Sequence, residues 1–562
     1  MAFIKNWREG INKIFVLGIF LMNLLSLIFG LIYLSKGEGS LIWNVYGVIF
    51  LLTLFGNILL ATLEERKTGL SRVYLFLSFL FPLSAALLNT LVSCLPANYR
   101  SQSTLSEILW FALIIFGGAL AAESLRSDRW SKSNVGNAMI STTTTGNHAT
   151  SMHGSIPQTV FIIILSAVLY FGLFLAINML RVHKTGLIEP IISEYALFFS
   201  ILFLSAGMLI LKLLNRKKYT LYYNIVLVTS VIVTGACLLP FLSVPCMLKN
   251  ARQNYIQAFG EQAEDFSNHT ESMEGTWRTI PFSLPEYFFG IPSGDYKVKQ
   301  NILFYEGMEG IDRGLKLSFD VYSPEDEEDS DAFSDGYPVL IRIHGGGWTS
   351  GDKGSYNFPQ LNKYFAARGY VVFDIEYGLN NVVNWYEIVK ARKSMSGDFN
   401  VDDMVRHIGI FTKYLAKHQS EYRVDLQSVF ISGGSAGGQL TLAYGLAVAD
   451  GGYRDIQNPG ITVKGLIPYY PANGIGGSKA LADPAALVQK DSPPCLIYQG
   501  NHDGLVDPDI AEDFRRMYLK KGNKKCAVIV MPYGTHASDL YFPGYYNQVF
   551  LYYMERFMNY YR

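Results

Sequence analysis

Charge is what this sequence has least of. Asp, Glu, Lys and Arg make up 17% of its 562 residues, against roughly 25% in an ordinary soluble protein. That shortage excludes a disordered or nucleic-acid-binding chain and argues against a wholly soluble one. Cysteine is scarce as well. Cys94, Cys237, Cys246, Cys495 and Cys526 are too few for a disulfide-stapled scaffold and show no metal-ligand spacing. The first three sit in or beside apolar runs, and Cys495 and Cys526 sit in what read as core strands, where a buried thiol is expected. There is no internal repeat. The zero net charge conceals a split: residues 1–250 hold 18 Lys+Arg and 9 Asp+Glu, the remainder 29 and 38. The two parts face different environments.

What the first part has in place of charge is long apolar runs. Seven are legible, at about 14–34, 41–63, 73–95, 105–122, 158–180, 195–214 and 220–248. Each approaches the ~20 residues a helix needs to cross a hydrocarbon layer of about 30 Å. With no water to bond backbone groups there, a helix is the form such runs must take. The first run is too long for a signal-peptide core, and SKGEGS after it lacks a small-residue cleavage site, so it is expected to remain as a span. Lys5, Arg8, Lys13, Arg66, Lys67, Arg72, Arg126, Arg129, Lys132, Lys212, Arg216, Lys217 and Lys218 fall in the N-terminal segment and alternate loops, against Lys36, Arg100, Arg181 and Lys184 in the others. This asymmetry places the N-terminus in the cytoplasm and everything after about Leu248 on the opposite face. Glu107, Glu123 and Glu194 lie near span ends, within reach of the interface. Asn23, Asn57, Asn89, Asn178 and Asn224 are expected to bond between helices. The Ser/Thr-rich residues 131–155 read as a cytoplasmic loop.

Residues 250–294 form a polar juncture read as a juxtamembrane linker with room for one short helix. Asn268-His269-Thr270 within it has the glycosylation pattern, a tripeptide common by chance. Beyond it, in 295–562, short apolar stretches alternate with helical ones: 315–322 (LKLSFDVY), 337–344 (YPVLIRIH), 370–377 (YVVFDIEY), 429–432 (VFIS), 463–469, 494–499 (PCLIYQ) and 527–531 (AVIVM). The acidic PEDEEDSD stretch is a solvated loop. Such alternation implies a mostly parallel sheet covered by helices on both faces.

The sharpest chemical signal is Gly433-Gly434-Ser435-Ala436-Gly437, between the strand VFIS and the helix QLTLAYGLAVA. A serine raised on a tight strand-to-helix turn needs glycine two residues before and after it, because side chains there would strike the turn. His344-Gly345-Gly346-Gly347-Trp348 ends an upstream strand. A glycine-rich turn there brings backbone N–H groups against the serine, and with the N–H of Ala436 it forms an oxyanion hole. A phosphate loop would instead need Lys and Ser/Thr opening a helix, which WTSGD does not supply. An acid and then a histidine should follow. GNHDGLVDP follows PCLIYQ and offers Asp503 and Asp507; Asp503 is preferred as nearer the strand end. PYGTH follows AVIVM and offers His536. Such loops lie where open α/β sheets keep their active sites. His344 is expected to shape the glycine turn, and His407 and His418 fall on a helix with structural roles expected; Asp352, Asp374 and Asp402 are also expected to be structural.

The set HGGGW, SGGSAGGQL, GNHDGLVDP and YGTH, in that order over about residues 295–562, resembles the α/β-hydrolase superfamily, in particular its esterase/lipase branch of hormone-sensitive lipase-like and acetyl esterase-like enzymes. The resemblance implies Ser435 as nucleophile, His536 as base, Asp503 as its acid, and oxyanion donors from Gly345, Gly346 and Ala436. It implies no metal or organic cofactor and does not extend to the spans. Only about 25 residues separate the strand ending near Tyr469 from PCLIYQ, so any lid is small.

The expected protein is thus an all-α bundle of about seven transmembrane helices (1–249) followed by an α/β-hydrolase domain. The function expected is a membrane-anchored serine esterase, outside the cytoplasm, acting on short acyl esters of a small molecule, glycan or lipid. Membrane lipid is its only other expected partner, with no nucleic acid. Two rivals share the sequence features: a peptidase or amidase of the same fold, and a non-catalytic adhesion or sensor module.

Overall fold

The computed structural model describes all residues except 1, 37–39, 65–67, 97–102, 136–155, 182–191, 266–276, 293, 326–335, 356–357, 383–390, 451–459 and 475–478. Asn268-His269-Thr270, most of the Ser/Thr-rich loop and the acidic loop lie outside the described residues, as do Arg66, Lys67, Arg100 and Lys184 among the loop charges.

The apolar runs form the helices that unsatisfied backbone groups demand: α1 (Ala2–Lys36), α2 (Leu41–Leu63), α3 (Thr68–Ser93), α4 (Thr104–Val135), α5 (Ile156–Leu180), α6 (Ala196–Leu213) and α7 (Thr220–Leu242). Among the described residues, seven helices are long and apolar enough to cross a membrane. α6 is the most enclosed of them. The asparagines divide. Asn23 and Asn57 exchange reciprocal amide bonds of 2.7 and 2.8 Å between α1 and α2. Asn178 bonds its own helix at Phe174 O, and Asn224 is exposed. Glu194, expected to reach the interface, is instead fully buried.

The described parts of the polar juncture are packed structure. After Ser243, α8 (Val244–Phe259) carries Val244, Met247, Ala251, Tyr255 and Phe259 as one buried stripe, the spacing of a helix with one apolar face. Further on, α9 (Leu284–Phe289) plugs the end of the bundle. Phe288 O accepts from Asn89 Nδ2 (3.2 Å) and Trp110 Nε1 (3.0 Å), and Leu284 N–H donates to Asn44 Oδ1 (2.6 Å).

The C-terminal half is built on eight strands: β1 (Tyr296–Glu306), β2 (Lys316–Pro324), β3 (Tyr337–Ile343), β4 (Val371–Ile375), β5 (Val424–Gly434), β6 (Val463–Tyr469), β7 (Cys495–Gly500) and β8 (Cys526–Met531). Their order is β1-β2-β4-β3-β5-β6-β7-β8, with β2 antiparallel to both neighbours and the rest parallel. One face is covered by α11 (Val401–Lys417), α12 (Ala436–Asp450) and α13 (Asp509–Lys520), the other by α10 (Phe358–Ala366) and α14 (Tyr545–Tyr561). Period two decides which side chain goes where: Val339, Ile341 and Ile343 enter one core and Leu340 the other.

The second core does not stop at the sheet. It runs through α10 and α14 into the helix bundle as one contiguous cluster. α8 lies against the edge strand β8, where Asn254 Nδ2 donates to Val528 O at 3.0 Å. That covers an edge which would otherwise offer open backbone groups. Lys363 Nζ and Tyr296 OH reach the carbonyls of Leu95 and Pro96 past the end of α3, at 3.0 and 2.5 Å.

Candidate active site

Three parallel strands end on the same edge of the sheet, and the site is assembled there. Ser435 stands between the last residue of β5 and the first of α12 with φ +56°, a left-handed conformation that a side chain adopts only under constraint. The turn is fixed by bonds of 3.0 Å from Ser435 N–H to Tyr469 O and from Gln439 N–H to Ser435 O. The flanking glycines are required by space. A Cβ on Gly433 would sit 2.5 Å from Gly437 O, and one on Gly437 would strike the Ile343 and His344 carbonyls.

Asp503 follows β7. Its Oδ1 accepts from the N–H groups of Leu505 (3.0 Å) and Val506 (2.8 Å), which leaves Oδ2 aimed at His536 Nδ1, 2.9 Å away. His536 follows β8, and its Nε2 lies 3.1 Å from Ser435 Oγ. Asp503 and His536 are only 2% and 8% exposed, so water is largely kept from the bond between them. Asp507 sits apart on the surface, where Oδ1 accepts from Asp509 N–H at the start of α13.

The glycine turn after β3 presses on Ser435. A Cβ on Gly345 would meet Ser435 Cβ at 3.4 Å. Gly346 has φ +117°, and a side chain there would collide with Ser350 O. Among the described residues, no backbone hydrogen bond in this loop uses the N–H of Gly345 or Gly346. Ala436 opens α12, so its N–H also points out of the helix start. His344 shapes the turn: its ring stacks on Tyr377 at 4.5 Å, and Nδ1 lies 2.8 Å from Gly345 O. Burial pushes the His344 pKa down. Trp348 Nε1 donates to Gln439 Oε1 at 2.8 Å, tying the turn to α12.

Among the described residues, the other histidines and the acids Asp312, Asp352, Asp374 and Asp402 hold structure. His407 Nδ1 accepts from Gly378 N–H, and its Nε2 lies 3.1 Å from Asp312, which Arg406 also clasps. His418 bonds Tyr414 O at the end of α11. His502 packs on Tyr533. Asp352 pairs with Arg392 and Asp402 lies in the first turn of α11. Asp374 is buried, which raises its carboxyl to about 7. Among the described residues, no cluster of His, Cys, Asp or Glu is placed to hold a metal ion.

Two residues that the motifs do not reveal complete the site. Tyr470, at φ +35°, packs its ring 4.6 Å from that of His536 and donates its hydroxyl to Asp539 at 2.7 Å. The doubled tyrosine at the end of β6 is the sequence trace of this.

A sheet of this order, with its serine turn after β5, acid after β7 and histidine after β8, is the α/β-hydrolase fold. A family model described as BD-FAE matches residues 319–472. The probable carboxylic ester hydrolase LipM of Mycobacterium tuberculosis is 23% identical over 232 residues, covering 36% of this chain and 50% of that protein. Esterase LipQ of the same organism is 20% identical over 231 residues, covering 36% and 51%. The chain thus spans about half the length of these relatives. Among solved structures, the apo form of Thermogutta terrifontis esterase 2 aligns with a TM-score of 0.35 at 20% identity, covering 47% of this chain and 91% of that one.

Proposed function

We propose that this α/β-hydrolase domain is a serine esterase that cleaves carboxylic esters by acyl transfer. The observation that carries the proposal is the single imidazole reaching Ser435 Oγ at 3.1 Å and Asp503 Oδ2 at 2.9 Å. The names of the two mycobacterial relatives support the same chemistry.

In this reading His536 donates its Nδ1–H to Asp503, which leaves Nε2 free to take the proton of Ser435 as Oγ attacks the acyl carbon. Asp503 holds that tautomer and stabilises the imidazolium. Negative charge grows on the carbonyl oxygen, and the N–H groups of Gly345, Gly346 and Ala436 would receive it, with the start of α12 adding its dipole. The Nε2 proton then passes to the departing alcohol. Water, activated by the same imidazole, releases the acid and restores Ser435.

Two finer assignments belong to the proposal. The excess of Lys and Arg in alternate loops supports a hydrolase domain on the extracytoplasmic face, acting on acylated small molecules, glycans or lipids. The 25-residue connection from β6 to β7 leaves little material for a lid, which supports short acyl groups such as acetyl.

The test uses the full chain in detergent micelles with p-nitrophenyl esters of increasing acyl length. Turnover that is highest for acetate, lost in Ser435→Ala, and matched by fluorophosphonate labelling at Ser435 is expected. Equal turnover by wild type and Ser435→Ala would remove the nucleophile and the reading with it.

A further inference from the structure

The loop that delivers His536 is poorly suited to stand alone. Residues 532–544 contain neither helix nor strand, and two non-glycine residues in it, Tyr533 (φ +60°) and Ala537 (φ +56°), are left-handed. Such strained backbone persists only where its surroundings over-determine it. A general base must also be held to within a fraction of an ångström, because a displacement of about 1 Å can cost on the order of 100-fold in rate.

On its inner side the loop is held by the sheet: Asp539 by Tyr470, and Ser538 by Tyr498 OH at 2.9 Å. On its outer side it is held by the membrane helices. Tyr195, at the start of α6, packs its ring 5.0 Å from Tyr541. The Tyr195 hydroxyl is bonded to Thr90 of α3 at 2.7 Å, so the ring is fixed to two helices at once. Tyr541 OH donates to Tyr287 O of α9 at 2.6 Å, and Tyr287 OH donates to Glu194 O at 2.8 Å. Ser193 Oγ lies 3.4 Å from Thr535 Oγ1, the residue before His536. Tyr195, Tyr287 and Tyr541 are all buried.

We propose that the helix bundle is part of the catalytic apparatus, with Tyr195 acting as a positioning residue that clamps the His536 loop from the membrane side. This goes beyond anchoring: the state of α3 and α6 sets where the base stands. It rests on the serine-hydrolase reading above.

The test compares wild type, Tyr195→Ala, Tyr195→Phe and Ile58→Ala as full chains in lipid nanodiscs. Ile58 is buried in α2 one turn from Ala61, whose carbonyl accepts from Lys212 at the far end of α6 from Tyr195. It therefore controls for general loosening of the bundle. For Tyr195→Ala, kcat for a p-nitrophenyl ester should fall tenfold or more while KM stays within about twofold, and the acid limb of the pH profile should move. Tyr195→Phe keeps the ring and should stay within about threefold. Hydrogen exchange across 535–545 should rise in Tyr195→Ala and not in Ile58→Ala. If Tyr195→Ala does not accumulate, Tyr195→Leu, which keeps bulk without the ring, takes its place with the same expectation.

Unchanged kcat in Tyr195→Ala, or an equal loss in Ile58→Ala, would overturn the clamp while leaving the esterase intact. If wild type neither turns over esters nor labels at Ser435, the hydrolase reading falls. The clamp is then judged by exchange alone, and equal exchange in wild type and Tyr195→Ala overturns it.

Discussion

The hydroxyl of Tyr470 donates to Asp539 at 2.7 Å while its ring lies 4.6 Å from the imidazole of His536. One buried side chain thereby joins the serine turn to the histidine loop, since Tyr470 OH is also the nearest atom to a Cβ built on Gly434, at 3.1 Å. Tyr470→Phe deletes that bond and leaves Asp539 with one donor fewer in a buried site. A hydrogen bond to a charged group contributes roughly 1.5–3 kcal/mol. The variant should melt several degrees lower and lose several-fold in kcat with KM little changed. A kcat equal to wild type would show that the ring alone holds the histidine.

Asp503 and Asp507 provide a contrast within one loop. Asp503→Asn presents an amide where the imidazole N–H needs an acceptor, and the wrong tautomer follows. Loss of about 10⁴ in kcat is expected, the scale known for this substitution in serine hydrolases. Asp507→Asn keeps an oxygen acceptor for Asp509 N–H, an exposed turn bond whose complete loss costs about 1 kcal/mol. Its kcat should match wild type. Steady-state kinetics on the two variants decide between the carboxylates, and a large loss in Asp507→Asn would reverse the assignment.

These residues also show where the sequence was informative. The spans were legible because a membrane leaves the backbone one local solution, and composition alone reports it. Ser435, Asp503 and His536 were legible because each sits on a turn next to an apolar strand, with glycines that the turn geometry demands. β1 was missed. It is an edge strand whose residues are mostly not buried, and register shifts at 299/302 and 303/305 break its alternation. The packing of α9 against the bundle was not legible for a different reason. α9 is six residues long, and what holds it is Asn44, Asn89 and Trp110, some 180–240 positions upstream. Tyr195 and Glu194 were read as span ends because nothing local records that another domain covers them.

Gly437 tests the steric account of the serine turn. A methyl group there would strike Ile343 O and lie 2.5 Å from His344 O. Both are backbone atoms of β3 and the glycine turn, and neither can move without shifting Gly345 and Gly346, the oxyanion donors proposed above. Gly437→Ala should cost about 3 kcal/mol or more, in the range of strained buried sites, and should abolish fluorophosphonate labelling of Ser435. Gly474→Ala provides a comparison, because a Cβ there meets nothing within 4 Å among the described residues and its φ of +77° is what opposes the change. A Gly437→Ala protein with wild-type stability and labelling would contradict the packing.

Asp374 gives the fold a pH dependence whose sign can be worked out. It is buried on β4 opposite Asp320 of β2 and Arg342 of β3, with Oδ2 accepting from Gly354 N–H (2.8 Å) and Asn362 Nδ2 (3.0 Å). Lys353 pairs with Asp320, 2.8 Å away. Burial is the largest influence and raises the Asp374 carboxyl to about 7, against about 3.9 in an unfolded chain. Between those values the folded state holds a proton that the unfolded state has released. The contribution of this group therefore falls as pH rises from about 4 to 7, and it is constant above that. Asp374→Asn keeps an acceptor for both donors and places its NH₂ where Oδ1 has no partner among the described residues. The variant should match wild type near pH 4, gain on it through the window, and hold a steady advantage above pH 7, bounded by about 4 kcal/mol at 1.36 kcal/mol per unit. Melting temperatures of the two chains from pH 4.5 to 8 measure this directly. A difference that stays constant over that range would mean the carboxyl titrates alike in both states.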